Sequence, residues 1–495
     1  MYKIKNLLWA MLLAVPVLMI FSGCKKFLDR KPLTATLDDL NQGGLEGQIY
    51  GLYGAIRNGD VAGQAFGGIP WMAMNNFRSD DSEKGSSASD GADWGVIFDE
   101  FKYAKDHWAP TIYWDQHYVL IGQANVALQT ADSLKLTDPA SLINIGEAKF
   151  FRAFSYFDLV RAYGQVPKID FRVYNPNDAK KVKASVTEIY ALIDKDLQDA
   201  IAVLPTSWPV KYTGRLTSNA AKALYAKALL YRGQWAQSLS LNQQVISAGY
   251  SLTSDYSKIF TDAGENNSES IWEIQAYVGP NGTPNLFSFY AICQGVRGSG
   301  EWDLGWGWNT PTQALVDAFP AGDKRKDATI LYSGQSDGVY GRQLPAFPSI
   351  PRQYWNKKVY PNPATQASTG ERQAGWVNQR EIRLADVILM AAEAANEIGG
   401  AANQTLAVNY VNQIRTRAGL AAVTFTTQAD MRTIIQNERR YELALEGERF
   451  YDLVRWGLAE SVLGGSGYLS KNKYYPIPQS AIDFAGGVLI QNPDY

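Results

Sequence analysis

The chain has 495 residues, with 47 lysines and arginines against 49 acids, for a formal net charge of −2 at pH 7. That balance excludes the basic face a nucleic-acid partner demands, and two cysteines exclude a disulfide framework as the source of stability. A chain this long buries a large share of its surface without such help; its 14 tryptophans and 28 tyrosines supply both core and candidate recognition surface.

The N-terminus has the three parts of an export signal. Lys3 and Lys5 give a positive start, Leu7 to Phe21 form an uncharged apolar stretch, and Ser22 and Gly23 precede Cys24. The stretch is shorter than the ~20 apolar residues of a membrane-spanning helix. Small residues directly before a cysteine resemble a bacterial lipobox, with Phe21 where leucine is usual. The expectation is a signal peptide over 1–23 and lipidation of Cys24, so that the mature protein is anchored to a membrane and otherwise soluble. An ordinary signal peptide with an incidental cysteine is the alternative. Loss of the two lysines with the signal takes the net charge from −2 to −4, and an acylated Cys24 leaves Cys293 without a partner in the chain.

An aromatic cluster and a lone tryptophan follow. Trp71 to Asp81 holds Trp71, Asn75, Asn76, Phe77 and Arg78, and Trp94 sits in a glycine-bearing stretch beyond it. Ser185-Val186-Thr187-Glu188 is a capping-box pattern. Ile189, Ile193, Leu197, Ala200 and Leu204 then mark one face of a helix that Pro205 stops. From Thr217 to about Tyr250 an alanine-rich helix, a turn at Gly233 and a second helix opening at Trp235 resemble a tetratricopeptide unit. A second helix–turn–helix reads as Arg383 to Ile398, Gly399-Gly400, and Thr405 to Arg417. Stacked pairs of this kind bury a continuous core. The expected fold is therefore mainly α, a tetratricopeptide-like helical-repeat superhelix with long irregular loops.

Residues 261–375 read differently. Pro345, Pro348, Pro351, Pro361 and Pro363 exclude long helices, and only Gln313 to Phe319 has helical periodicity. Trp302, Trp306 and Trp308 crowd a glycine-rich loop from Gly298 to Asn309, with Glu301, Asp303 and Asn309 as polar companions. Aromatic faces beside hydrogen-bonding groups suit a ring-shaped, hydroxyl-bearing ligand. Packing anchors ahead of Pro311 are the alternative. The expected organisation is a helical region over 24–260 and a second region over 261–495 that carries the loop-rich ligand-site segment.

Enzyme signatures do not stand out. No metalloprotease helix motif, paired C-x-x-C or phosphate-binding loop occurs, and His107 and His117 have no metal-ligand spacing. Gly298-Ser299-Gly300 and Gly305-Trp306-Gly307 lack the strand and helix of a dinucleotide site. No metal, cofactor or catalytic residue is nominated. The charged run from Asn437 to Trp456 places Glu446 three before Arg449 and Asp452 three before Arg455, a spacing that allows ion pairs on a helix; it reads as a salt-bridge network joining two helices at a Gly447 corner.

Five segments in order resemble the SusD/RagB family. They are Cys24-Lys25-Lys26-Phe27-Leu28-Asp29; Glu147 to Arg161 with Tyr163-Gly164-Gln165-Val166-Pro167; Arg383 to Val387 with Glu393-Ala394; the run 437–456; and Tyr475-Pro476-Ile477-Pro478 with the closing Gln491-Asn492-Pro493-Asp494-Tyr495. The resemblance implies a surface-exposed outer-membrane lipoprotein that binds an oligo- or polysaccharide without catalysis. It also implies a SusC-like TonB-dependent transporter as partner, with no cofactor. A peptide or other nutrient as ligand, or a helical glycoside hydrolase, are the other readings. Expected ligand contacts are Trp302, Trp94, Trp306, Trp308, Trp71, Phe77, Asn76, Arg78 and Asp303.

Overall fold

Helices dominate the computed structural model, which describes residues 43–57, 65–91 and 96–495. The signal segment, Cys24 and Trp94 lie outside the described residues. The chain groups into two units, Met1–Gln48 and Ile49–Tyr495, and the architecture below, from α2 onward, is that of the second.

Nine helices of twelve residues or more are described: α1 (Gly44–Arg57), α2 (Trp108–Ser133), α3 (Pro139–Tyr163), α4 (Val186–Val203), α5 (Ser218–Leu230), α6 (Trp235–Ile246), α7 (Leu384–Ile398), α8 (Ala401–Ala418) and α9 (Gln428–Glu442). From α2 onward each packs on the next in one continuous series. The stack is the helical-repeat scaffold expected from the paired helices. α6 packs on α7 although more than 130 residues separate them, so the intervening chain is an insertion into a stack that closes over it.

Local chemistry explains the borders. Ser185 and Glu188 complete the capping box at the start of α4, and Ile189, Ile193, Leu197 and Ala200 are buried along its face. Asp138 caps α3 by accepting from Ser141 N, with Pro139 at the first helical position. The second helix of the later pair starts at Ala401, four residues before Thr405, because Gly399 and Gly400 both take positive φ and the helix opens directly after them. α2 had no clear periodic signal: its buried residues include Tyr113, Trp114, His117, Ile121 and Asn125, which mix polarities around the helix.

The insertion is held at both ends. Its strand Ser270–Ile274 pairs antiparallel with Gln379–Arg383, the residues leading into α7. Trp272 of that strand receives the edges of Phe150 and Phe154 of α3, at 5.1 and 5.3 Å between ring centres. Within the insertion, Val296, Trp302, Leu304, Leu331, Leu344, Ile350, Trp355 and Tyr360 form a core of their own. Its helices run only six or seven residues, as in Phe289–Gln294 between Ser288 and Gly295, Gln313–Ala318 just ahead of Pro320, and Pro363–Thr369, which Pro363 opens.

The charged run near the C-terminus is a buried network. Arg439 pairs with Asp386 of α7 at 2.7 Å and with Asp452 at 2.8 Å. Glu442 meets Arg417 at 2.6 Å, Arg383 at 3.0 Å and Arg325 at 3.5 Å. Burial alone would raise the Glu442 carboxyl; the surrounding cations outweigh it and hold the group down at about 2. Asp452 does pair with Arg455. Glu446 does not pair with Arg449. It turns to Lys358 at 2.6 Å and Arg383 at 2.8 Å, while Arg449 reaches Asp80 at 2.8 Å. The helix spacing behind that expected pair fails because α9 ends at Glu442 and Gly447, at φ +87°, turns the chain between the two residues.

Candidate functional site

The Trp71–Asp81 cluster is the other half of that corner. Asn76 Oδ1 accepts from Gly447 N at 3.1 Å. A Cβ on Gly447 would stand 2.9 Å from the Trp71 ring, so glycine is required by space as well as by φ. Arg78, only 1% exposed, lies between the rings of Phe450 and Tyr475, 3.7 and 3.9 Å from their centres, and donates to the Met74 and Asn472 carbonyls. Phe77 is buried as well, and Trp71 meets Tyr290 edge-on at 5.7 Å. Asp80 and Asp81 receive Arg440 and Arg449. Trp71, Asn76, Phe77 and Arg78 are thus committed to internal partners and offer a ligand almost no surface.

Trp302 is also internal. It is 8% exposed, sits in the core of the insertion, and carries the Arg342 guanidinium 4.3 Å above its ring. Trp308 is 3% exposed, in the strand Trp308–Pro311 that pairs antiparallel with Ser82–Gly85. Asn309 is buried, donating from Nδ2 to Gln294 Oε1 at 2.6 Å and accepting from Ser82 Oγ. These expected contacts are supports rather than surface: a strand and a packed core need the same aromatic residues a ligand platform would use. Glu301 remains exposed.

Trp306 differs from its neighbours. The tight turn Gly305-Trp306-Gly307 is fixed by Trp306 N donating to Ile292 O at 2.9 Å and Gly307 N to Gly295 O at 2.9 Å. Gly307 takes φ +75°, and a Cβ there would meet Arg297 Cβ at 2.8 Å. The turn leaves Trp306 half-buried on the wall of a recess of about 320 Å³ that it shares with Ile69, Asp90, Gly91, Arg297 and Trp308. Arg297 Nη1 pairs with Asp90 Oδ2 at 2.7 Å, and Ser86 Oγ donates to the same oxygen at 2.8 Å.

The aromatic surface continues beyond Trp306. Phe289 lies 5.7 Å from it and Phe287 5.0 Å further, edge-on to Phe289. Phe287 is 36% exposed, so the row ends in an aromatic edge open to solvent. Both phenylalanines line a second recess of about 490 Å³, whose polar wall includes Asp303, Arg372 and Gln373. Gln373 Nε2 donates to Asp303 Oδ1 at 3.4 Å. The structure therefore brings Trp306 and Asp303 of the expected residues to one aromatic, polar-edged face. Phe287, Phe289, Asp90, Arg297 and Gln373 were not expected there. The signal for the first two is the pair of aromatics two apart around Ser288 in a region without periodicity.

Neither histidine forms part of a metal cluster; among the described residues no group of three potential ligands occurs. His117 is fully buried against Tyr113 and Phe66. His107 caps α2, Nδ1 accepting from Ala109 N. Cys293 is a buried free thiol whose pKa burial pushes up.

Two sequence families match the chain: one described as "SusD family" over residues 263–472, and one described as "Starch-binding associating with outer membrane" over residues 57–230. The chain belongs to the SusD/RagB family. A SusD-like protein of Formosa agariphila, P2, is 28% identical over 482 residues, covering 91% of this chain and 92% of its own length. The starch-binding protein SusD of Bacteroides thetaiotaomicron is 26% identical over 440 residues, 74% of this chain and 76% of its own. Among solved structures, a laminarin-binding SusD-like protein superposes with a TM-score of 0.75 at 27% identity, covering 92% of this chain and 99% of the other. No helix of the described residues is long and apolar enough to cross a membrane.

Proposed function

We propose that this SusD/RagB-family protein is a non-catalytic glycan-binding lipoprotein of the outer membrane, anchored on the cell surface through Cys24. It captures an oligo- or polysaccharide and passes it to a SusC-like TonB-dependent transporter, for which it acts as a lid. The observation that carries the reading is the aromatic row Phe287–Phe289–Trp306. A sugar ring presents axial hydrogens to such a face and hydroxyls to its edge, where Asp303, Gln373 and the Asp90–Arg297 pair supply acceptors and donors. Trp94, in the chain just after Gly91, is proposed as a further contact. Starch- and laminarin-binding relatives support a glucan-type ligand.

The test is affinity electrophoresis of the purified chain in gels containing starch or laminarin. Retardation without new reducing ends is expected, and Trp306→Ala reduces it. Cleavage of the polysaccharide, or retardation indifferent to Trp306, Phe287 and Phe289 together, overturns the reading. For the anchor, Cys24→Ser is expected to release the exported protein from the membrane fraction. For the partner, mild detergent extraction is expected to recover a barrel protein with this chain; recovery of the chain alone, with normal uptake after its deletion, removes the lid role.

A further inference from the structure

A second recess lies on the scaffold and shares no residue with the aromatic face. It measures about 540 Å³, within the ~300–1,000 Å³ of small-molecule sites. Its walls come from the end of α3, the start of α4, the turn after α5, the short helix Arg449–Arg455 and the segment around Tyr474. Four cations line it, Arg161, Arg232, Arg455 and Lys473, and no acid does.

The three arginines are fixed from behind. Arg232 pairs with both oxygens of Asp194, at 2.9 and 2.6 Å, and lies 4.5 Å from the Tyr190 ring centre. Arg455 is held by Glu393 and Asp452. Arg161 is held by Asp158, with its guanidinium 4.5 Å from the Tyr451 ring centre. These contacts do not exhaust the donors. A guanidinium carries five N–H groups, and Arg232 uses three, one of them to the Ala228 carbonyl. Arg161 is nine-tenths buried and its Nη1 donates to Tyr231 Oη at 3.4 Å, so it contributes charge to the wall more than free donors. Lys473 is exposed at the edge, with the Tyr474 ring 5.2 Å away and no carboxylate partner among the described residues. Cations pinned by carboxylates and rings, with two N–H groups of Arg232 and the Lys473 ammonium left over, form a preorganised receptor for an oxyanion. Tyr474, Val186 and Val454 supply apolar wall for the body that carries it.

We propose that this recess is a second binding site, selective for a saccharide bearing a carboxylate or a sulfate ester. It stands independently of the neutral-glycan reading of the aromatic face. The probes are a glucuronate disaccharide, 6-O-sulfated N-acetylglucosamine and neutral cellobiose, titrated calorimetrically into the full mature chain at low ionic strength. At least one acidic probe is expected to bind ten times more tightly than cellobiose and to lose most of that advantage at high salt. Which of the two binds identifies the carboxylate or the sulfate as the group recognised. Lys473→Glu is expected to weaken acidic binding at least tenfold and Lys473→Ala severalfold, with melting temperature and retardation by laminarin unchanged. Trp306→Ala is expected to leave acidic binding intact, so failure at one face is distinguishable from failure at the other. Equal affinity for cellobiose and both acidic probes, or acidic binding unmoved by Lys473→Glu, overturns the proposal.

Discussion

The stacked helices and the insertion between α6 and α7 differ in how far residue type foretells burial. In the scaffold, charge is buried: Arg439 and Arg417 are enclosed with the carboxylates that neutralise them. In the insertion, aromatic residues do two jobs within a few positions of each other. Trp302 and Trp355 are core, whereas Trp306 and Phe287 stand at the surface. The difference teaches that density of tryptophan in a loop does not locate a binding face. What locates it is the backbone turn that denies one of those tryptophans a buried position.

The largest effects should come from the scaffold's buried charge. Arg439→Ala leaves Asp386 and Asp452 facing each other without their shared cation. A loss of about 3–5 kcal/mol in unfolding free energy is expected, read by chemical denaturation; a variant as stable as the parent would mean the network is not what holds α7 to α9. Trp302→Ala should cost a similar or somewhat smaller amount, about 3–5 kcal/mol before relaxation. Here hydrogen exchange sharpens the comparison. Amides between 296 and 360 should exchange faster while those of α3 and α7 stay protected. Uniform acceleration would make insertion and scaffold one cooperative unit.

A pH effect should follow from His117. Burial, aided by Arg161, holds it down to about 4 against Asp158, from an ordinary value of 6.5. The unfolded chain therefore binds the proton first, so the stability this residue contributes is complete above pH 6.5 and is lost as pH falls toward 4. The loss is at most about 3 kcal/mol. Glu442 adds to acid sensitivity only as the pH passes from its ordinary 4.5 down toward 2, whereas Asp99, Glu265 and Glu381, which burial pushes up to about 8, gain stability as the pH falls from 8 toward 4 and oppose the histidine, so its share is read as the difference between the parent and a variant without it. His117→Phe should lose less stability than the parent as the pH falls from 6.5 to 4.5; two parallel profiles would assign the sensitivity elsewhere.

The smallest effect should be the one nearest function. Trp306→Ala removes a half-exposed ring, with little change expected in melting temperature. Its loss should weaken glycan binding by roughly tenfold, in line with the ~0.5–1.5 kcal/mol an aromatic contact adds beyond area burial. If Trp306→Ala instead unfolds the insertion, Trp306 belongs with Trp302 as core and the contrast between the two disappears.

The sequence by itself determined the helical scaffold where signals are local. The Ser185–Glu188 box, the apolar face of α4, the glycine breaks at 233 and 399–400, and the prolines that forbid long helices from 345 to 363 all act within a few residues of themselves. The family was legible for a related reason, since its segments occur in order along the chain. Tertiary structure decided the rest. Whether Trp302 or Trp306 faces solvent depends on Leu331, Leu344 and Trp355 packing over the first and on a turn holding up the second. Whether Arg78 greets a ligand or two buried rings depends on Phe450 and Tyr475, more than 370 residues away. Spacing along a helix could pair Asp452 with Arg455, but could not reveal that Glu446 turns back to Arg383 and Lys358 while Arg449 turns to Asp80. Burial of a long side chain is a property of what arrives from elsewhere in the chain, and only the folded arrangement brings those partners together.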